Sequence, residues 1–154
     1  MFPELRARML KREEGFTLVE LLVVMLIIGI LAAIAIPTFF NQRRKATDSN
    51  GKAMAHTAQV AMETYAIDNK GSYLNATAAK LKAIDSTILT AAGTPARPFA
   101  SAASGTASTF TLTITAPTGN KFLITKAASG AVTYTCTVPA GQNRGGCPSS
   151  GKWG

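Results

Sequence analysis

From Leu21 to Ile36 the chain runs without one charged, hydroxyl or amide side chain. The wider apolar stretch, Phe16 to Phe40, is 25 residues. As a helix it would be ~37 Å long, enough to cross the hydrocarbon of a bilayer. Beyond Pro37 the pattern becomes amphipathic. Met54, Ala58, Ala61 and Tyr65 recur at helical spacing, flanked by Ala53, Val60 and Ile67. Arg43, Arg44, Lys45, Asp48 and Lys52 are expected at the membrane edge or beyond it. Asp68-Asn69-Lys70-Gly71 reads as a helix stop, with a basic residue in the last turn and glycine just past it. One helix from Phe16 to Lys70 would be ~80 Å long. That exceeds a membrane, so residues 41–70 must lie against something outside it.

The cover is expected to be a small sheet. Phe110, Leu112 and Ile114 alternate with threonines 109, 111, 113 and 115. Phe122 and Ile124 repeat the period of two within Lys121–Lys126, and Val132, Tyr134 and Cys136 do so again. Pro117-Thr118-Gly119-Asn120 and Ser129-Gly130 supply turns. These three strands predict an antiparallel meander whose apolar face buries the helix stripe. The fold class is therefore α+β, a long N-terminal helix packed on a small antiparallel head. The expected segments are 1–15 (a basic leader), 16–40 (apolar helix), 41–70 (amphipathic helix), 71–107 (connection) and 108–154 (sheet and tail). Within the connection Leu81 and Ile84 hint at a short helix, and Ala91 to Ser108 reads as a surface loop.

The 154 residues suit one domain, but their apolar content, 47%, is unevenly placed. Gly71 to Gly154 is rich in Ala, Thr, Ser and Gly, which disfavours an ordinary soluble core. Cys136 and Cys147, an even pair behind a membrane-directed start, suggest a disulfide formed outside the cytoplasm. Bridging their glycine-rich loop is worth ~2–3 kcal/mol in the simple loop model. With a single histidine, His56, a His-based triad or a zinc site has almost nothing to draw on. The net charge is +8, and no Asp or Glu follows Asp85. An all-protein calcium site is therefore not expected in the tail, and no cofactor or metal is expected anywhere.

Three readings compete for the apolar stretch. Basic residues Arg6, Arg8, Lys11 and Arg12 precede it, and Ala33-Ile34-Ala35 offers a signal-peptidase site, so it could be a signal peptide. Its length suits a plain anchor. Neither explains Glu20, since a carboxylate in a spanning helix costs at least a few kcal/mol, although near a helix end it can reach the headgroups. If the chain is cut after Gly15, Phe16 acquires a charged amine one helical turn from Glu20, and a buried charge is tolerable when paired.

Gly15-Phe16-Thr17-Leu18-Val19-Glu20, followed by Leu21-Leu22-Val23-Val24 and later Ala35-Ile36-Pro37, resembles the N-terminus of type IV pilins and the related pseudopilins. The close match covers roughly residues 11–45. The resemblance implies cleavage between Gly15 and Phe16 by a prepilin peptidase, which also N-methylates Phe16. It implies that Glu20 pairs with the new amine of Phe16 on a neighbouring subunit, within a filament built by inner-membrane assembly machinery. Gly29, a weak helix former, and Pro37, which lacks an amide hydrogen, bracket a segment that could unwind in such a filament. The alternative is that Gly29 allows close helix contact and Pro37 marks the exit from the bilayer. A C-terminal disulfide loop also resembles many pilins. The implied function is a structural pilus subunit, held in the cytoplasmic membrane before assembly and extracellular after it.

A pseudopilin of a type II secretion system shares the same N-terminal segment, and a minor or competence pilin serving DNA uptake stays open. Another class, a protein secreted after cleavage at Ala35, is the less favoured alternative. An enzyme on a membrane stalk lacks a supporting constellation. The basic residues of the head (Lys121, Lys126, Arg144, Lys152) with Trp153 could attract DNA phosphates weakly. Their scatter makes a solvated surface the better expectation. His56 reads as a surface histidine, and Asn75-Ala76-Thr77 as a chance match to a glycosylation acceptor.

Overall fold

The computed structural model describes residues 15–93 and 96–154. All but the last residue of the expected leader, residues 1–15, lies outside the described residues. The chain divides into two compact units, one up to Phe39 and one from Phe40 to Gly154.

Helix α1 (Leu18–Asp68) is unbroken through Gly29 and Pro37. Thr17 caps it: its hydroxyl accepts from the Glu20 amide at 3.2 Å, and its carbonyl accepts from Leu21 at 3.2 Å. In the first unit the large apolar side chains of α1, from Leu18 to Phe39, are exposed, and none of its most apolar 18-residue window is buried. By length and composition the helix can cross a membrane.

In the second unit α1 buries Asp48, Gly51, Ala55, Ala58, Ala61, Met62, Tyr65 and Ala66. Ala58, Ala61 and Tyr65 of the expected stripe are therefore core, and only its edge is shifted. Met54 is half-buried, Ala53, Val60 and Ile67 face outward, and Ala55 and Met62 are core. The small residues on the buried side let the sheet approach the helix closely, and that chooses the face over side-chain bulk. The helix ends at Asp68, so Lys70 lies beyond its last turn rather than within it. The terminal carbonyls are satisfied by Asn69 Nδ2 to Tyr65 at 2.7 Å and the Gly71 amide to Ala66 at 2.7 Å.

Helix α2 (Ala78–Ile84) is the short helix hinted at by Leu81, which is fully buried. Thr77 caps its start. The sheet has four antiparallel strands in sequential order: β1 (Phe99–Gly105), β2 (Phe110–Thr115), β3 (Lys121–Lys126) and β4 (Val132–Thr137). Strand β1 corrects the expected surface loop over Ala91–Ser108 and raises the strand count from three to four. Its sequence, Phe-Ala-Ser-Ala-Ala-Ser-Gly, has no apolar alternation, and only Ala100 is buried. Backbone pairing to β2 and the Ala100 amide bond to Leu89 (2.7 Å) hold it, which side-chain patterning cannot reveal.

The other three strands sit where the period of two puts them. Leu112 pairs with Ile124, Ile114 with Phe122, and Phe122 with Cys136. Two five-residue connections, 116–120 and 127–131, fix this register, each closed around three residues by a backbone hydrogen bond between its ends. In each, a glycine at positive φ, Gly119 (88°) or Gly130 (85°), returns the chain to the ladder. The core joins Met62, Leu81, Ile88, Phe110, Leu112, Ile114 and Ile124 to the alanines of α1.

Candidate functional site: the N-terminal junction and the clamps of the head

Gly15, Phe16, Thr17 and Glu20 surround a hollow of about 540 Å³ at the start of α1. Phe16 is 81% exposed and Glu20 is exposed. Thr17-x-x-Glu20 has the spacing of a capping box, in which the threonine hydroxyl satisfies the amide three residues on. Thr17 was missed as a positioning residue, although that spacing was legible in the sequence. Among the described residues no cation lies within ion-pair distance of Glu20. In the uncut chain the Phe16 nitrogen is a peptide amide, so the amine that would pair with Glu20 arises only by cleavage. Gly29 meets no atom within 4 Å of a Cβ added to it, and Pro37 stands inside the helix.

The expected disulfide is present. Cys136 on β4 is bonded to Cys147, with Cα atoms 5.8 Å apart. Beside it lies a cluster that sequence reasoning missed. Asp48, expected among the polar residues near the membrane edge, is fully buried in the head. Its carboxylate accepts from the Thr118 hydroxyl, from Asn120 Nδ2 at 2.8 Å and from the Gly146 amide at 2.7 Å. Asn120, also fully buried, donates to the Arg144 carbonyl at 3.0 Å. One acidic side chain thus ties α1 to the β2–β3 turn and to the disulfide-bounded loop. Its position seven residues before Ala55, in line with the buried stripe, is the signal that could have found it.

A second clamp joins α1 to β3. Lys126 Nζ reaches Glu63 at 3.0 and 3.2 Å, and the Tyr73 hydroxyl donates to Glu63 at 2.6 Å while accepting from Lys126. Burial, followed by the hydrogen bond to Glu63, raises the Tyr73 phenol above its ordinary value. Hydrogen bonds to Tyr73 and then to Glu63 raise the Lys126 ammonium. After α2, the Thr87 hydroxyl and amide hold the Asp85 carboxyl below its usual range.

The basic residues do not form one platform. Lys126 is paired with Glu63, and Arg144 Nη1 donates to the Pro148 carbonyl at 2.9 Å. Lys121 and Lys152 are exposed. His56 is exposed, with its ring 5.3 Å from Trp153 and 5.6 Å from Tyr134. Among the described residues no three His, Cys, Asp or Glu side chains cluster to hold a metal.

Residues 10–36 match the family described as the prokaryotic N-terminal methylation motif. It is similar to the type IV wide pilus major component PilA4 of Thermus thermophilus, 43% identical over 60 residues (39% of this chain, 46% of that protein). It is also similar to the type IV major fimbrial protein FimA of Dichelobacter nodosus, 47% identical over 60 residues (38% and 37%). With the type II secretion system core protein G of Aeromonas hydrophila it shares 34% over 59 residues (38% and 41%). These pilin matches fall in the N-terminal region, and the chain covers less than half the length of each relative. No solved structure matches.

Proposed function

We propose that this chain is the precursor of a type IV pilus subunit, cut between Gly15 and Phe16 and polymerised through α1. The observation that carries the reading is the pairing of an unburied apolar helix with one carboxylate, Glu20, within a methylation motif. Before assembly lipid covers that helix, and the subunit is a single-pass protein of the cytoplasmic membrane. During assembly identical helices replace the lipid, so apolar burial is exchanged rather than created, and the filament ends outside the cell. Glu20 sets the register, because only a neighbour at the right axial offset brings a Phe16 amine to it. Gly29 and Pro37 are the weak points at which α1 would open when packed. The processing enzyme would be a prepilin peptidase with methyltransferase activity, and the inner-membrane assembly machinery would extract the subunit.

Mass spectrometry of the mature protein tests this. N-methylated Phe16 is expected, whereas Ile36 would make the chain a secreted protein and Met1 an uncut anchor. The second reading, a type II secretion pseudopilin, is supported by the similarity to core protein G. Electron microscopy of sheared cell surfaces separates the two, since filaments containing this chain are expected only for a pilus. The pilin relatives make the first reading the stronger one.

A further inference from the structure

The second unit carries an open pocket of about 410 Å³ that neither the proposed cleavage nor the filament register uses. Helix α1 supplies Phe40, Arg43, Arg44 and Thr47, and the head closes it with Pro117, Thr118 and Gln142. Among the described residues neither guanidinium has a carboxylate within ion-pair distance. Asp48, next to Thr47, spends its oxygens on Thr118, Asn120 and Gly146.

The hydroxyls are committed as donors, Thr47 to the Arg43 carbonyl at 3.0 Å and Thr118 to Asp48. Thr47 keeps its lone pairs to accept with, Thr118 keeps one beside that taken by the Asn120 amide at 3.3 Å, and Gln142 offers both an acceptor and donors. The pocket therefore combines two lining arginines for an oxyanion, acceptors for hydroxyl groups, and apolar walls from Phe40 and Pro117. A phosphate diester bearing a polyol matches all three. Phe40 ends the apolar stretch, and Arg43 and Arg44 follow within ~6 Å of helix rise, the depth at which lipid headgroups begin.

We propose that this pocket binds the phosphoglycerol headgroup of an anionic phospholipid while the subunit resides in the membrane. The proposal rests on the membrane residence argued above. It gives the unassembled subunit a fixed depth, with the phosphate on Arg43 and Arg44 and the glycerol hydroxyls on Thr47, Thr118 and Gln142. Extraction into a filament then requires that lipid to be released.

Native mass spectrometry of the full chain in detergent, titrated with dioleoyl phosphatidylglycerol or dioleoyl phosphatidylcholine, tests it. The phosphatidylglycerol adduct is expected to form about tenfold more tightly. Arg43→Gln/Arg44→Gln should abolish the preference. Lys45→Gln/Lys121→Gln, which removes the same charge from exposed positions outside the pocket, should keep it. Equal loss in both variants would reduce the effect to net charge and overturn the pocket. Displacement by millimolar inorganic phosphate would overturn the lipid in favour of a free anion. Alkaline carbonate extraction of cell membranes separates the two levels. Release of the chain overturns membrane residence itself, and retention without a headgroup preference overturns the pocket alone.

Discussion

Asp48 and Asn120, 72 residues apart in sequence, meet in the interior of the head through a hydrogen bond of 2.8 Å. Both are fully buried, and together they hold the β2–β3 turn and the disulfide-bounded loop against α1. A buried carboxylate without a cationic partner is costly unless hydrogen bonds replace its hydration, and here three donors do so.

Asp48→Ala is therefore expected to destabilise the head by at least ~3 kcal/mol, because it strands the donors of Thr118, Asn120 and Gly146. Lys45→Ala, three residues earlier and exposed, should stay within ~0.5 kcal/mol of the parent chain. Urea unfolding of the full chain in detergent, followed by Trp153 fluorescence, measures both. A loss below ~1 kcal/mol for Asp48→Ala would show that water replaces the carboxylate without penalty.

Replacing both cysteines by serine should cost ~2–3 kcal/mol in the same assay, from the freed loop in the unfolded chain. Gly146, which binds Asp48, adjoins Cys147, so the two anchors hold one loop. The combined variant should consequently lose less than the sum of the separate losses, with a coupling above ~0.5 kcal/mol. Strict additivity would mean that each anchor holds its own part of the loop independently.

Gly105 closes β1 against the chain that follows α1. A Cβ placed there would lie 2.6 Å from the Tyr73 Cβ and 3.0 Å from its carbonyl carbon. Tyr73 is constrained, since its ring packs edge-on against Phe110 at 5.0 Å between ring centroids and its hydroxyl donates to Glu63. Gly105→Ala should cost ~1–3 kcal/mol through this overlap. Gly141→Ala has open space around it and tests the contrast: only the strain of its positive φ, 76°, should register.

The apolar span was legible as the unbroken run Leu21–Ile36, strands β2 to β4 as a period of two through Phe110, Leu112 and Ile114, and the ends of α1 to within two residues. Strand β1 was not, since Ala and Ser carry little pattern, and it is placed by backbone pairing to β2 and by the Ser101 hydroxyl, which bonds Thr113 and Thr115. Ala58, Ala61 and Tyr65 were placed correctly, but the edge of the stripe was not, because Ala53 and Ala55 are equal in hydropathy and only the position of the sheet distinguishes them. Asp48 was hidden by its type: a charged residue beside Arg43, Arg44 and Lys45 reads as surface until the turn that covers it is known. The Glu63–Tyr73–Lys126 clamp likewise needs three elements brought together before its chemistry exists. Glu20 was legible for the opposite reason, as the lone carboxylate of a long apolar run.

That clamp makes alkaline stability a readout of the contact between α1 and β3. Both Tyr73 and Lys126 hold their protons more tightly folded than their ordinary values of 10.0 and 10.5 allow. Above pH ~10 the folded chain then binds more protons than the unfolded chain, so stability must fall as pH rises. The contribution is fully present below those ordinary values and is lost as pH climbs through the raised ones. Glu63→Gln removes a carboxylate that adds to the rise of both groups, after burial for Tyr73 and after the Tyr73 hydrogen bond for Lys126, and should partly flatten the decline of the urea midpoint between pH ~9 and ~11.5. Near pH 7 it should cost little, ~1 kcal/mol or less, because the Lys126–Glu63 pair is partly open to solvent. An identical alkaline slope in Glu63→Gln and the parent chain would place the titrating proton elsewhere and leave the clamp a packing contact.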